Sequence, residues 1–248
     1  MNLNPSLLAM HDKLWIGLNV NLNGTDKEIP KRYISYIYEP LFEARRRSHL
    51  NLLEIGVRTG ASILLWTKYF DSATVVGIDN GDDVTWQNEE WVEGERVSYL
   101  NTDAYTKKTL DSFTNKFDII IDDGPHSLWS QQWAAKHYTN ILSSDGLLFI
   151  EDIWGGRINC NKIIRSLPKD FRGCVRIFDL RQRTRVGDAL VILIHNCEGK
   201  CNLSVSNSNQ FALAAHLIRI LHVYEFLYIP KKIILKILFE VKTRFSWS

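Results

Sequence analysis

Phe117-Asp118-Ile119-Ile120-Ile121-Asp122-Asp123-Gly124-Pro125-His126 is the stretch on which the reading of the fold turns. Its first five residues make a short, mostly apolar run, typical of strands in parallel sheets that are covered on both faces. The acids follow at once. A second run, Leu147 to Ile150, ends in the same way at Glu151-Asp152. Open α/β sheets bind their ligands outside the carboxyl ends of the strands, so both clusters converge on one crevice. That concentration of negative charge calls for a cation. Hard oxygen donors suit a magnesium-like ion, and His126 stands beside them as a proton acceptor.

Working outward, strands and helices alternate. Asn51 to Gly56 reads as a strand ending in glycine, followed by Gly60-Ala61-Ser62 and an amphipathic stretch from Ile63 to Phe70. Further strands are expected at Thr74 to Asp79 and Val97 to Leu100, with helices around Lys107 to Asn115, Trp129 to Leu142 and Ile158 to Leu167. Repeated βα units specify a parallel, doubly wound sheet. Val175 to Leu180 and Ala189 to His195, joined by an Arg-rich segment with Gly187-Asp188, read instead as a β-hairpin. A mostly parallel seven-stranded sheet with a terminal antiparallel hairpin strand is the α/β arrangement of Rossmann-like class I methyltransferases. It differs from the all-parallel dinucleotide-binding sheet. The expected organisation is a helical cap over 1–48, with a helix from about Lys31 to Arg47, then this domain over 49–200, then a helical extension over 201–248.

Bulk properties narrow the classes. A chain of 248 residues, 45% hydrophobic, is long enough for one α/β domain and a small appendage. Thirty basic against 28 acidic residues leave a formal charge of +2, so no global field argues for nucleic acid or membrane. Met1 to Leu22 lacks the apolar core of a secretion signal, and a cytoplasmic setting is expected. Cys160, Cys174, Cys197 and Cys201 form no framework that could staple a domain of this size, which fits a reduced setting; Cys197 and Cys201 read as half a zinc site, a loop disulfide or ordinary thiols, and the last is favoured because a structural zinc site needs four ligands. Phe211 to Ile229 is nearly apolar but broken by His216, Arg219, His222 and Glu225, which argues against a membrane span. Ile233 to Arg244 is basic and amphipathic. Two readings of this tail stand: peripheral contact with the inner membrane face, or a helical pair packed on the domain or on a second subunit of a homo-oligomer. Apolar helix faces usually bury against protein, which favours the second.

In Glu54-Ile55-Gly56-Val57-Arg58-Thr59-Gly60 a carboxylate near the strand end precedes two glycines four apart. Glycine serves where backbone approaches a ligand or takes positive φ. The spacing is not the G-x-G-x-x-G of a dinucleotide reader, which disfavours a nicotinamide oxidoreductase. E-x-G-x-x-x-G instead sets an acid near a ligand with a cationic amino-acid end, as in S-adenosylmethionine. Gly56, Arg58, Gly60 and Ser62 complete that loop. Asp79 is placed to hold a ribose through its hydroxyls. Asp103 either meets the adenine edge or caps a helix, and Asp122 either faces the methyl donor or caps the next helix.

Methyl transfer to an alcohol needs a base and benefits from a Lewis acid. Asp123, Glu151 and Asp152 supply metal oxygens, and His126 takes the proton. Together Thr25-Asp26-Lys27, Leu53 to Ser62, Gly77-Ile78-Asp79, Ile120 to His126 and Ile150-Glu151-Asp152 resemble the magnesium-dependent sugar O-methyltransferases of macrolide biosynthesis, and the cephalosporin hydroxylase/rhamnosyl O-methyltransferase group looks similar. The resemblance runs from about Thr25 to Asp152. It implies that Asp123, Glu151 and Asp152 bind magnesium and that His126 is the base. Pro125 stands where that family usually has Ser, removing a hydroxyl and a backbone donor.

The acceptor expected from this resemblance is a small molecule or glycan carrying a sugar hydroxyl. A phosphoramidate or catechol-like acceptor, or a non-catalytic binding module, are the alternatives. Arg157, Arg176, Arg181, Arg183 and Arg185 read either as a grip on a nucleotide-sugar diphosphate or as a solvated hairpin. Trp86, Trp91, Trp129, Trp133 and Trp154 flank the expected crevice as sugar platforms or as core.

Overall fold

The computed structural model of the chain describes residues 5–17, 25–81 and 96–197, the side chains of 13–17 excepted. The tail readings over 201–248, Trp86, Trp91 and Cys201 lie outside the described residues. Seven strands, β1 (His49–Ile55), β2 (Ser72–Asp79), β3 (Val97–Asn101), β4 (Phe117–Asp122), β5 (Leu142–Ile150), β6 (Val175–Asp179) and β7 (Leu190–His195), form one sheet in the order β3-β2-β1-β4-β5-β7-β6. Only β7 runs antiparallel to its neighbours, β5 and β6. This is the expected sheet, with a short helix, α7 (Arg181–Thr184), inside the hairpin connection.

Both faces of the central strands β1, β4, β5 and β7 are largely buried, which is why they read as continuous apolar runs. Alternate residues serve opposite layers. Leu52, Ile119, Ile121 and Phe149 face the layer that holds Tyr33, Ile37, Phe42 and Trp66. Leu53, Ile120, Leu148 and Ile150 face the layer of Ala134, Tyr138, Cys160 and Ile163. The first layer is built by α1 (Leu7–Gly17), α3 (Ala61–Tyr69) and the segment that includes α2 (Glu39–Phe42). The second is built by α4 (Lys107–Asp111), α5 (Leu128–His137) and α6 (Gly156–Ser166). Tyr38, Phe42, Trp66 and Phe149 form an aromatic knot, with Tyr38 and Phe149 ring centres 5.1 Å apart at a steep angle.

Two elements differ from the reading above. The helix expected from Lys31 to Arg47 is a π-turn at Ile34–Tyr38, one α-turn and a 3-10 turn at Glu43–Arg45. The π-turn brings both Tyr33, just before it, and Tyr38, at its end, inward. Strand β5 begins at Leu142 rather than Leu147. Ser143-Ser144-Asp145-Gly146 has turn composition and falls between the pairs Phe117–Leu142 and Ile119–Leu147, where the register of β4 and β5 shifts.

Register sets the stage for the site. Ile55 pairs with Asp122, and Asp122 with Ile150, so three strands end on one level. The next residues leave together: Asp123 N–H donates to Ile55 O at 2.9 Å and Glu151 N–H to Asp122 O at 3.0 Å. Gly56 sits between them at φ +85°, where a Cβ would lie 2.1 Å from the Asp123 carbonyl oxygen. Gly56→Ala therefore meets rigid backbone as well as an unfavourable φ, and should cost about 3 kcal/mol or more in urea unfolding.

Candidate active site

The loops leaving β1, β2, β4 and β5 wall a cavity of about 620 Å³, within the range of small-molecule sites. Gly56, Arg58, Ser62, Asp79 and Asp103 line it on one side, and Asp123, His126 and Asp152 on the other. Three non-glycine residues of this wall, Arg58, His126 and Asp152, have left-handed backbones with φ of 48°, 55° and 55°. Such conformations persist where surrounding contacts over-determine them, commonly at ligand sites. Asp152 has those contacts: Gln131 of α5 donates Nε2–H to the carbonyls of Glu151 and Asp152, and Tyr33 donates its hydroxyl to Asp152 Oδ1 at 2.8 Å.

On the loop side, Asp79 Oδ2 accepts the backbone N–H groups of Val57 and Arg58, both at 2.8 Å, and Oδ1 accepts from Gly81. Its carboxylate thus shapes the loop as well as facing the cavity. Gly60 makes the turn, at φ +78°, that opens α3. Asp103 accepts from the Tyr105 backbone N–H, while the cap of α4 is Thr106, so its helix-cap reading is set aside. Asp122 is buried behind Tyr105, whose hydroxyl donates to it at 2.5 Å, and it caps no helix. Burial pushes its carboxyl up to about 7.

Two sequence-expected residues stand elsewhere. Glu54 is not on the cavity wall: fully buried, it accepts Trp66 Nε1–H at 3.0 Å and lies 3.4 Å from Lys27 Nζ. Glu151 is likewise fully buried, accepting from Tyr38 and from Lys27 at 2.9 and 3.0 Å. The expected set of three metal acids is therefore not assembled, because the Glu151 carboxylate turns inward to meet an ammonium group. Asp123, His126 and Asp152 do converge, with one ligand atom from each lying within 4.8 Å of the others.

The cation that organises the interior is Lys27. It is fully buried and bonded to Asp123 Oδ2 at 2.7 Å and to Glu151. Burial alone would lower its pKa, but Asp123, Glu151 and Glu54 outweigh that and hold it well above the usual lysine range. Lys31 Nζ contacts Asp152 Oδ2 and lies 2.6 Å from Asp26 Oδ2. Sequence reasoning gave no role to Lys27, Lys31, Tyr33 or Tyr38. The one available signal was Lys27 in the Thr25-Asp26-Lys27 motif.

Five carboxylates, Asp26, Glu54, Asp123, Glu151 and Asp152, thus contact two ammonium groups. Burial raises the pKa of Glu54, Asp123 and Glu151, as expected where acids outnumber bases. A divalent cation fits. Two donors bonded at about 2.1 Å to a magnesium ion lie no more than about 4.2 Å apart. His126 Nε2 is 3.8 Å from Asp123 Oδ1 and 3.6 Å from Asp152 Oδ2. The two carboxylates are the hard donors, and the imidazole is the poorer match for magnesium.

The arginines do not gather at this crevice. Arg181 is locked to Asp179 at 2.7 Å, Arg183 lies over the Tyr36 ring, and Arg176 lines a small separate hollow with Leu41, Leu147 and His195. Trp129 is exposed on the cavity wall, and Trp133 packs 5.9 Å from Tyr105. Cys174 and Cys197 face each other with sulfurs 2.8 Å apart, which corrects the reading of independent thiols for that pair.

Residues 53–153 match a family model described as a methyltransferase domain. The sheet order and terminal hairpin are those of the Rossmann-like class I methyltransferases. The chain is 27% identical over 128 residues to the 8-demethyl-8-(2-methoxy-alpha-L-rhamnosyl)-tetracenomycin-C 3'-O-methyltransferase of Streptomyces olivaceus, covering 48% of this chain and 31% of that protein. It is 27% identical over 127 residues to the mycinamicin VI 2''-O-methyltransferase of Micromonospora griseorubida, covering 47% of this chain and 30% of that protein. The match thus spans about a third of the length of these relatives. Among solved structures, MycE methyltransferase from the mycinamycin biosynthetic pathway, in complex with Mg, SAH and mycinamycin VI, is similar in fold. Its TM-score is 0.55 at 18% identity, over 81% of this chain and 58% of that one.

Two stability predictions follow from the buried charges. Lys27→Met strands three carboxylates and should lower stability by about 3–5 kcal/mol in urea unfolding. For Asp122, the folded state keeps its proton up to about 7 while the unfolded chain loses it near the ordinary value of 3.8. The native state binds more protons across that window, so stability falls as pH rises through it. Asp122→Asn should flatten the slope of the melting midpoint between pH 5 and 8, read by calorimetry.

Proposed function

We propose that the protein is a magnesium-dependent, S-adenosylmethionine-dependent O-methyltransferase acting on a sugar hydroxyl of a glycan precursor, nucleotide sugar or glycosylated metabolite. The observation that carries this reading is the convergence of Asp123, His126 and Asp152 across one cavity from the Gly56–Ser62 loop. The sugar O-methyltransferases among its relatives point the same way. A near-neutral chain favours a small-molecule acceptor over nucleic acid, and we place the reaction in the cytoplasm. No helix among the described residues is long and apolar enough to cross a membrane.

Gly56 lets the loop backbone approach the methyl donor, and Asp79 fixes the loop while facing the donor's ribose. Glu54 acts one layer deeper, steadying Lys27 and Trp66 rather than meeting the donor. Asp123 and Asp152 hold the metal, which when bound lowers the pKa of the acceptor hydroxyl and orients it. His126, half-buried between them, takes the hydroxyl proton at Nε2 as the oxygen attacks the methyl carbon. The carbon–sulfur bond of the sulfonium breaks as the carbon–oxygen bond forms. Trp129, exposed on the cavity wall, offers an apolar face to a sugar ring.

Calorimetric titration with S-adenosylmethionine, with and without magnesium, tests the reading. Wild type should bind both, Asp123→Ala the donor alone. Absence of donor binding in every condition would sink the methyltransferase assignment. Against a panel of sugar glycosides with labelled donor, His126→Ala should keep both ligands and transfer methyl about 10²–10⁴-fold more slowly.

A further inference from the structure

The two lysines of the acid cluster differ in one respect that bears on metal binding. Lys27 is sealed among three carboxylates and does not reach the cavity. Lys31 does line the cavity, together with Thr25 and Asp26 of the same segment. Its ammonium group contacts Asp152 Oδ2, the oxygen that faces His126 Nε2 at 3.6 Å. The other oxygen of Asp152 is taken by the Tyr33 hydroxyl. Lys31 therefore stands on the Asp152 oxygen that faces His126, while the Tyr33 hydroxyl holds the other.

Its second partner makes displacement feasible. Asp26 Oδ2 lies 2.6 Å from Lys31 Nζ, and the Asp26 side chain is half exposed. An ammonium group pushed off Asp152 keeps a carboxylate partner and gains solvent, so it is not stranded as a buried charge. Lys27 has no such exit.

We propose that Lys31 is a built-in competitor for the divalent cation: its ammonium group and the metal contend for Asp152 Oδ2, and metal loading shifts Lys31 onto Asp26. This rests on the metal reading of the site proposed above. It makes metal affinity a property of the Asp26–Lys31–Asp152 relay as well as of the ligands. It also ties loading to the Thr25–Lys31 segment of the cavity wall.

The test is calorimetric titration of the full chain with magnesium or manganese, in the absence of donor and acceptor. Lys31→Met should bind the metal about tenfold more tightly or better, because a like charge has been removed from a partly buried site. Asp26→Asn should bind it several-fold more weakly, because Lys31 then has only Asp152. In Lys31→Met/Asp26→Asn the Asp26 effect should vanish, which separates competition from a general loss of negative charge. Unchanged or weaker binding by a Lys31→Met protein with wild-type melting behaviour would overturn the proposal. So would an Asp26→Asn effect that persists in the double variant. If Lys31→Met does not fold, Lys31→Gln takes its place in the single and the double variant, and the same outcomes support or overturn the proposal. A donor titration on the same preparations keeps the two readings apart. Donor and metal uptake with unchanged affinity in Lys31→Met overturns the competitor role alone; donor binding with no metal uptake in any variant overturns the metal reading and the competitor role with it; and metal competition without donor binding overturns the methyltransferase function alone.

Discussion

One ammonium group, Lys27 Nζ, holds three separate parts of the chain to each other. It bonds to Asp123 after β4 and to Glu151 after β5, and lies 3.4 Å from Glu54 within β1. Lys27 itself comes from the segment ahead of the sheet, so this contact fastens the N-terminal layer to the carboxyl ends of the three central strands. An uncompensated carboxylate in the interior is costly, and three of them around one site would not persist without a cation. The aromatic knot of Tyr38, Phe42, Trp66 and Phe149 surrounds the same point, and two of its members bond to the acids: Tyr38 to Glu151 and Trp66 to Glu54. Packing and charge therefore specify one arrangement between them, each excluding the slips that the other would tolerate.

The parallel register carries that arrangement to the surface. Because Ile55, Asp122 and Ile150 lie on one rung, a shift of one residue in β4 or β5 would exchange the inward and outward carboxylates of that strand's pair. The adjacent acids illustrate the alternation. Glu151 turns into the interior and Asp152 into the cavity, while Asp122 is buried and Asp123 reaches the cavity wall. Each pair thus divides into a member turned inward and a member on the cavity wall, and the absence of a side chain at Gly56 lets the backbones of the two halves of the site touch.

That division explains what was legible in the sequence. Strand positions, sheet class and the convergence of Asp123, His126 and Asp152 follow from short apolar runs that end in acids, since period and burial are local signals. The N-terminal part of β5 was hidden because Ser143 to Gly146 has the composition of a turn and lies where the register with β4 shifts. Glu151 and Glu54 were misplaced for a different reason. A run of residues says that an acid ends a strand, but not which way its carboxylate faces, and the deciding partner, Lys27, lies 124 residues from Glu151 in the chain. Tyr33 and Tyr38 fell within the helix expected from Lys31 to Arg47, and the π-turn that brings both to the acids leaves no trace in a helical pattern.

Two lysines four residues apart thus have different physical tasks. Lys27, enclosed and bonded to carboxylates from two strand ends, cannot leave without breaking the interior, so its charge belongs to the fold. Lys31 bridges a buried acid and a half-exposed one, and its charge can move between them at little cost in desolvation. A site with excess carboxylates is prepared for a divalent ion, but it is also prone to repulsion before the ion arrives. A permanent cation beneath it and a movable one beside it reduce that repulsion while leaving Asp123 Oδ1 facing His126. The donor atoms thereby lie near one another, and on the function proposed above such preorganisation would position an acceptor hydroxyl beside a base.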